Sequence, residues 1–72
     1  MKKKYDYRMC SDGNFLCRGV YGPYGYEDCE SFTVDGWMHD KDADDTMFGW
    51  TTSQDISEEE ARKYVEKYGG EL

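Results

Sequence analysis

The residues best suited to chemistry lie in Asp40-Lys41-Asp42-Ala43-Asp44, where carboxylates recur at every second position. That spacing lets oxygens converge on one hard cation when the backbone curls, as in a calcium loop. An EF-hand reading fails on its remaining positions. Its sixth residue would be Asp45 instead of glycine, and its twelfth Thr51 instead of glutamate. The expectation is a solvated acidic turn with no metal.

Cys10, Cys17, Cys29 and His39 have the residue types of a zinc site, but their gaps are six, eleven and nine residues. Structural zinc draws its ligands in close pairs, so free thiols acting as small hydrophobes are expected. An odd number of cysteines also argues against a secreted disulfide scaffold. His39 beside Asp40 has the types of an oriented base, with Cys17 or Cys29 as nucleophile. Neighbouring strand residues point to opposite faces, however. With no second histidine, phosphate loop or nucleophile elbow, a non-enzymatic protein without a cofactor is expected.

Charge is the strongest feature. Glu27, Asp28, Glu30, Asp35, Asp40, Asp42, Asp44 and Asp45 face a single lysine, Lys41, so this segment alone matches the −7 of the whole chain. Aromatic residues, at 17%, are interleaved with it. Disordered acidic chains lack such residues, so a folded chain is expected, with a field that acts on partners. Lys2-Lys3-Lys4-Tyr5-Asp6-Tyr7-Arg8 mixes basic and stacking groups as single-strand binders do. The net negative charge opposes phosphate, so direct nucleic-acid binding is not expected.

Seventy-two residues make one domain, residues 1–72. No apolar run follows the first lysines as a secretory signal requires, and none reaches membrane-span length. The expectation is a cytoplasmic protein without membrane contact.

Several elements must position these groups. Tyr5, Tyr7 and Met9 alternate with polar residues as in a half-buried strand. Ser11-Asp12-Gly13-Asn14 reads as a turn and Phe15 to Tyr21 as the second strand of a hairpin. Pro23 and Gly25 suit a β-turn within a Tyr21–Tyr26 loop. A third strand is predicted from Glu30 to His39 with Phe32, Val34 and Met38 on one side. Asp40 to Asp45 then connect it to a fourth strand, Thr46 to Thr52.

Ser57 and Glu60 form a capping box, and Ile56 with Ala61 a hydrophobic staple, at the start of a helix. Ala61, Tyr64, Val65 and Tyr68 make its apolar stripe, and Gly69-Gly70 end it. The predicted fold is α+β: a four-stranded antiparallel sheet, β-β-β-β-α, with one helix on one face. Strands two and four carry large apolar groups on both sides. The uncovered face therefore calls for a partner, a second copy in a homodimer, or the Tyr21–Tyr26 loop.

The expected function is protein–protein interaction with a basic surface. Side chains two apart on a strand lie ~6.6 Å from each other, so Asp40, Asp42 and Asp44 would form a ladder of charge. The candidate contact residues are Tyr24, Tyr26, Glu27, Asp28, Glu30, Asp35, Trp37, Asp40, Asp42, Asp44, Asp45 and Trp50. In size and acidity the chain resembles phage-encoded inhibitors such as anti-CRISPR proteins and other DNA mimics, a likeness of composition only. It implies a bacterial or phage protein that blocks a nucleic-acid-binding protein. The alternatives are a small metal-binding domain, using the acidic loop or the thiols, and a homodimerising accessory protein.

Overall fold

The computed structural model describes residues 4–10 and 15–72; the Ser11–Asn14 turn and the first lysines lie outside the described residues. Within them the chain is α+β, with five strands in one antiparallel sheet and two helices. The elements are β1 (Asp6–Cys10), β2 (Phe15–Gly22), β3 (Gly25–Thr33), β4 (Gly36–Met38), α1 (Lys41–Met47), β5 (Ser53–Ile56) and α2 (Glu58–Lys67). The strand order is β4-β3-β2-β1-β5.

The two helices cover opposite faces of the sheet. Tyr7 and Leu16 pack with Ala61 and Val65 of α2, joined by half-buried Met9, Phe32, Trp37 and Ile56. On the other face Cys17 and Cys29 pack with Ala43 and Met47 of α1, flanked by Phe15 and Tyr26. Adjacent residues Leu16 and Cys17 thus enter different cores, as strand alternation requires. The acidic segment itself supplies a cover for the second face, with Tyr26 of the expected Tyr21–Tyr26 loop packed beside it.

This corrects the expected connection at Asp40–Asp45 and the expected strand at Thr46–Thr52. Asp40 is an N-cap, its side chain accepting from the Ala43 N–H at 2.8 Å. Asp42 and Asp44 follow in the first turn, where the helix dipole favours negative charge. Ala43, Thr46 and Met47 then fall on one buried stripe, the i, i+3, i+4 spacing of a helix. Beyond Phe48 the chain turns at Gly49 (φ 79°) and re-enters the sheet at Ser53, one residue past the expected end of that strand.

The expected third strand is also two. Thr33 Oγ1 accepts from the Asp35 N–H and donates to the Gly36 carbonyl, and Gly36 adopts φ 99°. The resulting turn leaves Val34 fully exposed instead of in the core. On its other side β3 runs back to Gly25, so the Tyr21–Tyr26 loop is mostly paired strand. Only Pro23 and Tyr24 connect Gly22 to its partner Gly25.

The C-terminal helix follows its signals. Ser57 Oγ accepts from the Glu60 N–H at 3.1 Å, and Ile56 shares a core cluster with Ala61. Gly69 (φ 80°) and Gly70 return their N–H groups to Glu66 and Val65 in a Schellman closure. Among the described residues no helix is long and apolar enough to cross a membrane.

Candidate functional site

A bulge in β3 arranges the residues beneath α1. Arg18 pairs with Glu30 and Val20 with Glu27, so Asp28 and Cys29 together stand opposite Gly19. Asp28 takes the left-handed conformation (φ 53°), which aspartate tolerates better than most residues. The extra residue lets Tyr26 and Cys29, three apart, both reach the α1 core. They converge over Gly19, where an added Cβ would lie 3.2 Å from Cys29 Sγ and 3.4 Å from both Met47 and Tyr26.

Tyr26 is the hinge of an aromatic cluster. Its hydroxyl donates to Asp6 at 2.9 Å, and its ring meets Tyr21 at 5.4 Å and Phe48 at 6.5 Å, both edge-on. Burial and the bond to Asp6 raise its pKa. The hairpin presses on Phe48 closely enough that a Cβ at Gly25, already at φ 115°, would come within 2.7 Å of that ring. Trp50 is tied to α1 by its N–H, which donates to the Asp45 carbonyl at 2.8 Å. Tyr21, Tyr24 and Trp50 are 73%, 94% and 81% exposed, and Phe48 is half exposed. Exposed aromatic groups on rigid supports have the character of a contact surface.

The predicted carboxylates divide between scaffold and surface. Asp40 caps α1 and accepts from Ser31 Oγ at 3.0 Å. Glu30 accepts two N–H bonds from Arg18, at 2.8 and 3.0 Å. That guanidinium is sandwiched between Tyr5 and Trp37, 4.1 Å from each ring. Trp37 also donates from Nε1 to the Glu71 carbonyl and packs on Phe32 under α2. Asp40, Glu30 and Trp37 therefore hold the fold together. The ladder of Asp40, Asp42 and Asp44 does not form, because a helix turns Asp42 and Asp44 to different sides.

On the surface Asp42 is exposed on α1, while Asp45 meets Lys41 one turn back at 3.8 Å. Asp44 lines an open hollow of about 380 Å³ with Asp28, Cys29 and His39. Its two oxygens each lie 3.2 Å from His39 Nε2. Glu27 pairs across from Val20 and lies over Gly22, on the side of the sheet away from α1. Asp35 sits apart, in the β3–β4 turn.

Cysteine chemistry is damped here. Cys10, Cys17 and Cys29 are free and buried. Burial, then the charge of Asp44 and a hydrogen bond to it, push the Cys29 thiol up to about 11. Burial likewise raises Cys17, against opposing hydrogen bonds from Ser31 and Thr46. Both thiols are protonated at neutral pH, and the thiol is the unreactive form. No group of three or more His, Cys, Asp or Glu arranged to hold a metal ion occurs among the described residues.

Sequence reasoning missed Phe48 as a surface group, because it was assigned to a strand; Tyr21 was legible with Tyr24 and Tyr26 as one of a set of clustered tyrosines. Comparison with known proteins finds no matching family model, no matching curated protein and no matching solved structure.

Proposed function

We propose that this chain is a non-enzymatic interaction module that docks on the basic surface of another protein through its α1 side. The observation that carries the reading is that exposed Phe48, directly after α1, and exposed Tyr21 meet the same Tyr26 ring beside a helix whose Asp42 is exposed. Aromatic side chains supply contact energy, and fixed negative charge steers the encounter with a basic partner. In its narrower form the partner is a nucleic-acid-binding protein, whose phosphate groove is already built for negative charge, and the chain acts as a phage-type inhibitor of it.

The test uses two exposed positions on α1. A partner retained from a bacterial lysate at 50 mM salt and lost at 500 mM is purified, and association rates are measured by stopped flow. Asp42→Lys should slow association and Lys41→Glu should speed it, each by about threefold at 50 mM salt, with the difference gone at 500 mM. Rates indifferent to both substitutions at low salt would remove the steering role. A second copy is the competing occupant of the patch, and exposed Trp50 favours it equally. Sedimentation of the purified chain as a dimer that Trp50→Ala dissolves would select that reading instead.

A further inference from the structure

We propose that the outer edge of β3, between Tyr26 and Glu30, takes up an extended basic segment of the partner as a further strand in line with β4. This inference rests on the docking reading and names a main-chain contact within it. Three observations lead to it.

The edge is unpaired. β3 pairs with β2 from Gly25 to Ser31, whereas on its other side β4 pairs with only Ser31, Phe32 and Thr33. Among the described residues no turn or loop main-chain bond reaches Gly25 to Glu30. Tyr26 to Glu30 make a stretch of about 17 Å. Alternate residues of a strand turn their N–H and C=O groups to opposite sides, so part of this stretch presents main-chain groups with no strand partner. Such an edge is a template for strand addition.

Space for the added strand is present. Asp40 meets Ser31, Asp44 bonds to Cys29 and Phe48 lies over Gly25, so α1 runs beside β3 along its length. The hollow of about 380 Å³ is lined by Asp28, Cys29 and Glu30 of β3, by His39 just beyond β4 and by Asp44 of α1. Glu30 turns its side chain to Arg18, which stacks on Trp37 under α2, while Asp44 comes from the opposite face. A hollow that touches both lies beside the edge of the strand, where a continuation of β4 would run.

Charge selects the occupant. Glu27 and Asp28 are exposed on this stretch, and Asp44 faces it across the hollow. A second copy adding its own β3 would set these carboxylates near their counterparts, in two chains of net charge −7. Like charges across a strand pair destabilise it, and opposite charges stabilise it. Lysine or arginine at alternate positions of the incoming segment therefore fits. The bulge at Asp28 also bends the edge, which suits a short flexible segment better than the flat edge of another sheet.

The experiment titrates the intact protein, followed by NMR at 50 mM salt, with a capped hexapeptide of alternating lysine and valine. Two modified forms carry N-methyl groups on all lysine amides or on all valine amides, with charge and side chains unchanged. Only one set of amides can face β3 in an added strand. One methylated form should therefore bind at least about tenfold more weakly than the parent, and the other within about twofold of it. Hydrogen exchange should slow at amides between Tyr26 and Glu30, and not in β5, the strand at the other end of the sheet. Glu27→Gln combined with Asp28→Asn should weaken the parent peptide about fivefold; asparagine also accepts the left-handed conformation of position 28, so the fold is kept.

Equal affinity of the two methylated forms, or protection confined to β5, would overturn strand addition and leave the basic-surface reading standing. Failure of the parent peptide to bind would also overturn strand addition. A counterpart of alternating glutamate and valine that binds as tightly as the lysine peptide would overturn both readings. Protection of the β3 amides that grows with protein concentration alone would assign the edge to a second copy and overturn the basic segment.

Discussion

Replacing Asp40 by alanine should cost far more than replacing Asp42, although the two differ little in sequence setting. Asp40 Oδ1 closes two bonds at once, accepting from the Ala43 N–H at 2.8 Å and from Ser31 Oγ at 3.0 Å. Losing an N-cap costs about 1 kcal/mol. The hydroxyl of Ser31, only 4% exposed, would lose its strongest acceptor and keep only Cys17 Sγ at 3.4 Å. That adds about 1–2 kcal/mol for a buried donor left without its charged partner. The sum is about 2–3 kcal/mol, which in a domain of this size lowers Tm by about 10–20 °C. Asp42, exposed on α1, should contribute about 0.5 kcal/mol or less. Asp40→Asn separates geometry from charge, because asparagine caps as well as aspartate and its amide oxygen still accepts. It should recover most of the loss. Thermal melts followed by far-UV circular dichroism measure all three, and hydrogen exchange should show the Ala43 amide losing protection in Asp40→Ala alone. Equal melting temperatures for Asp40→Ala and Asp42→Ala would refute the capping argument and the assignment of Asp40 to the scaffold.

Other perturbations probe the two cores. Arg18→Ala leaves Glu30 half-buried without its partner and empties the space between Tyr5 and Trp37; urea melts should show a loss of about 3 kcal/mol, and a double-mutant cycle with Glu30→Ala a coupling of at least about 1 kcal/mol. Gly19→Ala drives a methyl into the contact between Cys29, Met47 and Tyr26, so a loss of about 1–3 kcal/mol is expected, partly recovered when Cys29→Ala is added. The Cys29 thiol titrates higher in the folded protein than its ordinary value of 9.0, at about 11. The folded state thus holds its proton where the unfolded state has lost it, so the contribution is complete below pH 9 and disappears between pH 9 and 11. Denaturant midpoints across that range should fall less steeply in Cys29→Ala than in the native chain, and parallel slopes would contradict the burial of this thiol.

How much the sequence revealed depended on whether local and tertiary signals agreed. At Ser57 to Gly70 they agreed, with cap, staple, stripe and terminal glycines all specifying one helix. The β1–β2 strands were equally plain, since period-two alternation in Tyr5–Met9 matches the burial of Tyr7 beneath α2. At Asp40 to Met47 they conflicted. Aspartate is a weak helix former, and four of them among the six residues from Asp40 to Asp45 read as a loop. Yet the same type is a strong N-cap and suits the first turn, and only the apolar face of the sheet reveals that Ala43 and Met47 must cover it. The bulge at Asp28 was illegible for a related reason. Its signature is a register shift between Arg18 and Val20, a relation between two strands that neither contains alone.

The inference that one face of the sheet needed a cover was sound; its occupant lay within the chain, and this changes how the acidity should be understood. Of the eight carboxylates between Glu27 and Asp45, Asp40 and Glu30 are committed to the scaffold, and Asp44 and Asp45 are partnered by His39 and Lys41. The pair Lys41–Asp45 adds little to stability, but the lysine offsets the charge that Asp45 presents to a partner. The field available for steering is therefore weaker than the formal −7 implies, and on α1 it is centred on Asp42. A weaker field shifts the energetic weight of docking toward Tyr21, Phe48 and Trp50. Affinity should then fall further on Trp50→Ala than on Asp42→Ala at physiological salt, and the order should persist as salt rises, because stacking is not screened.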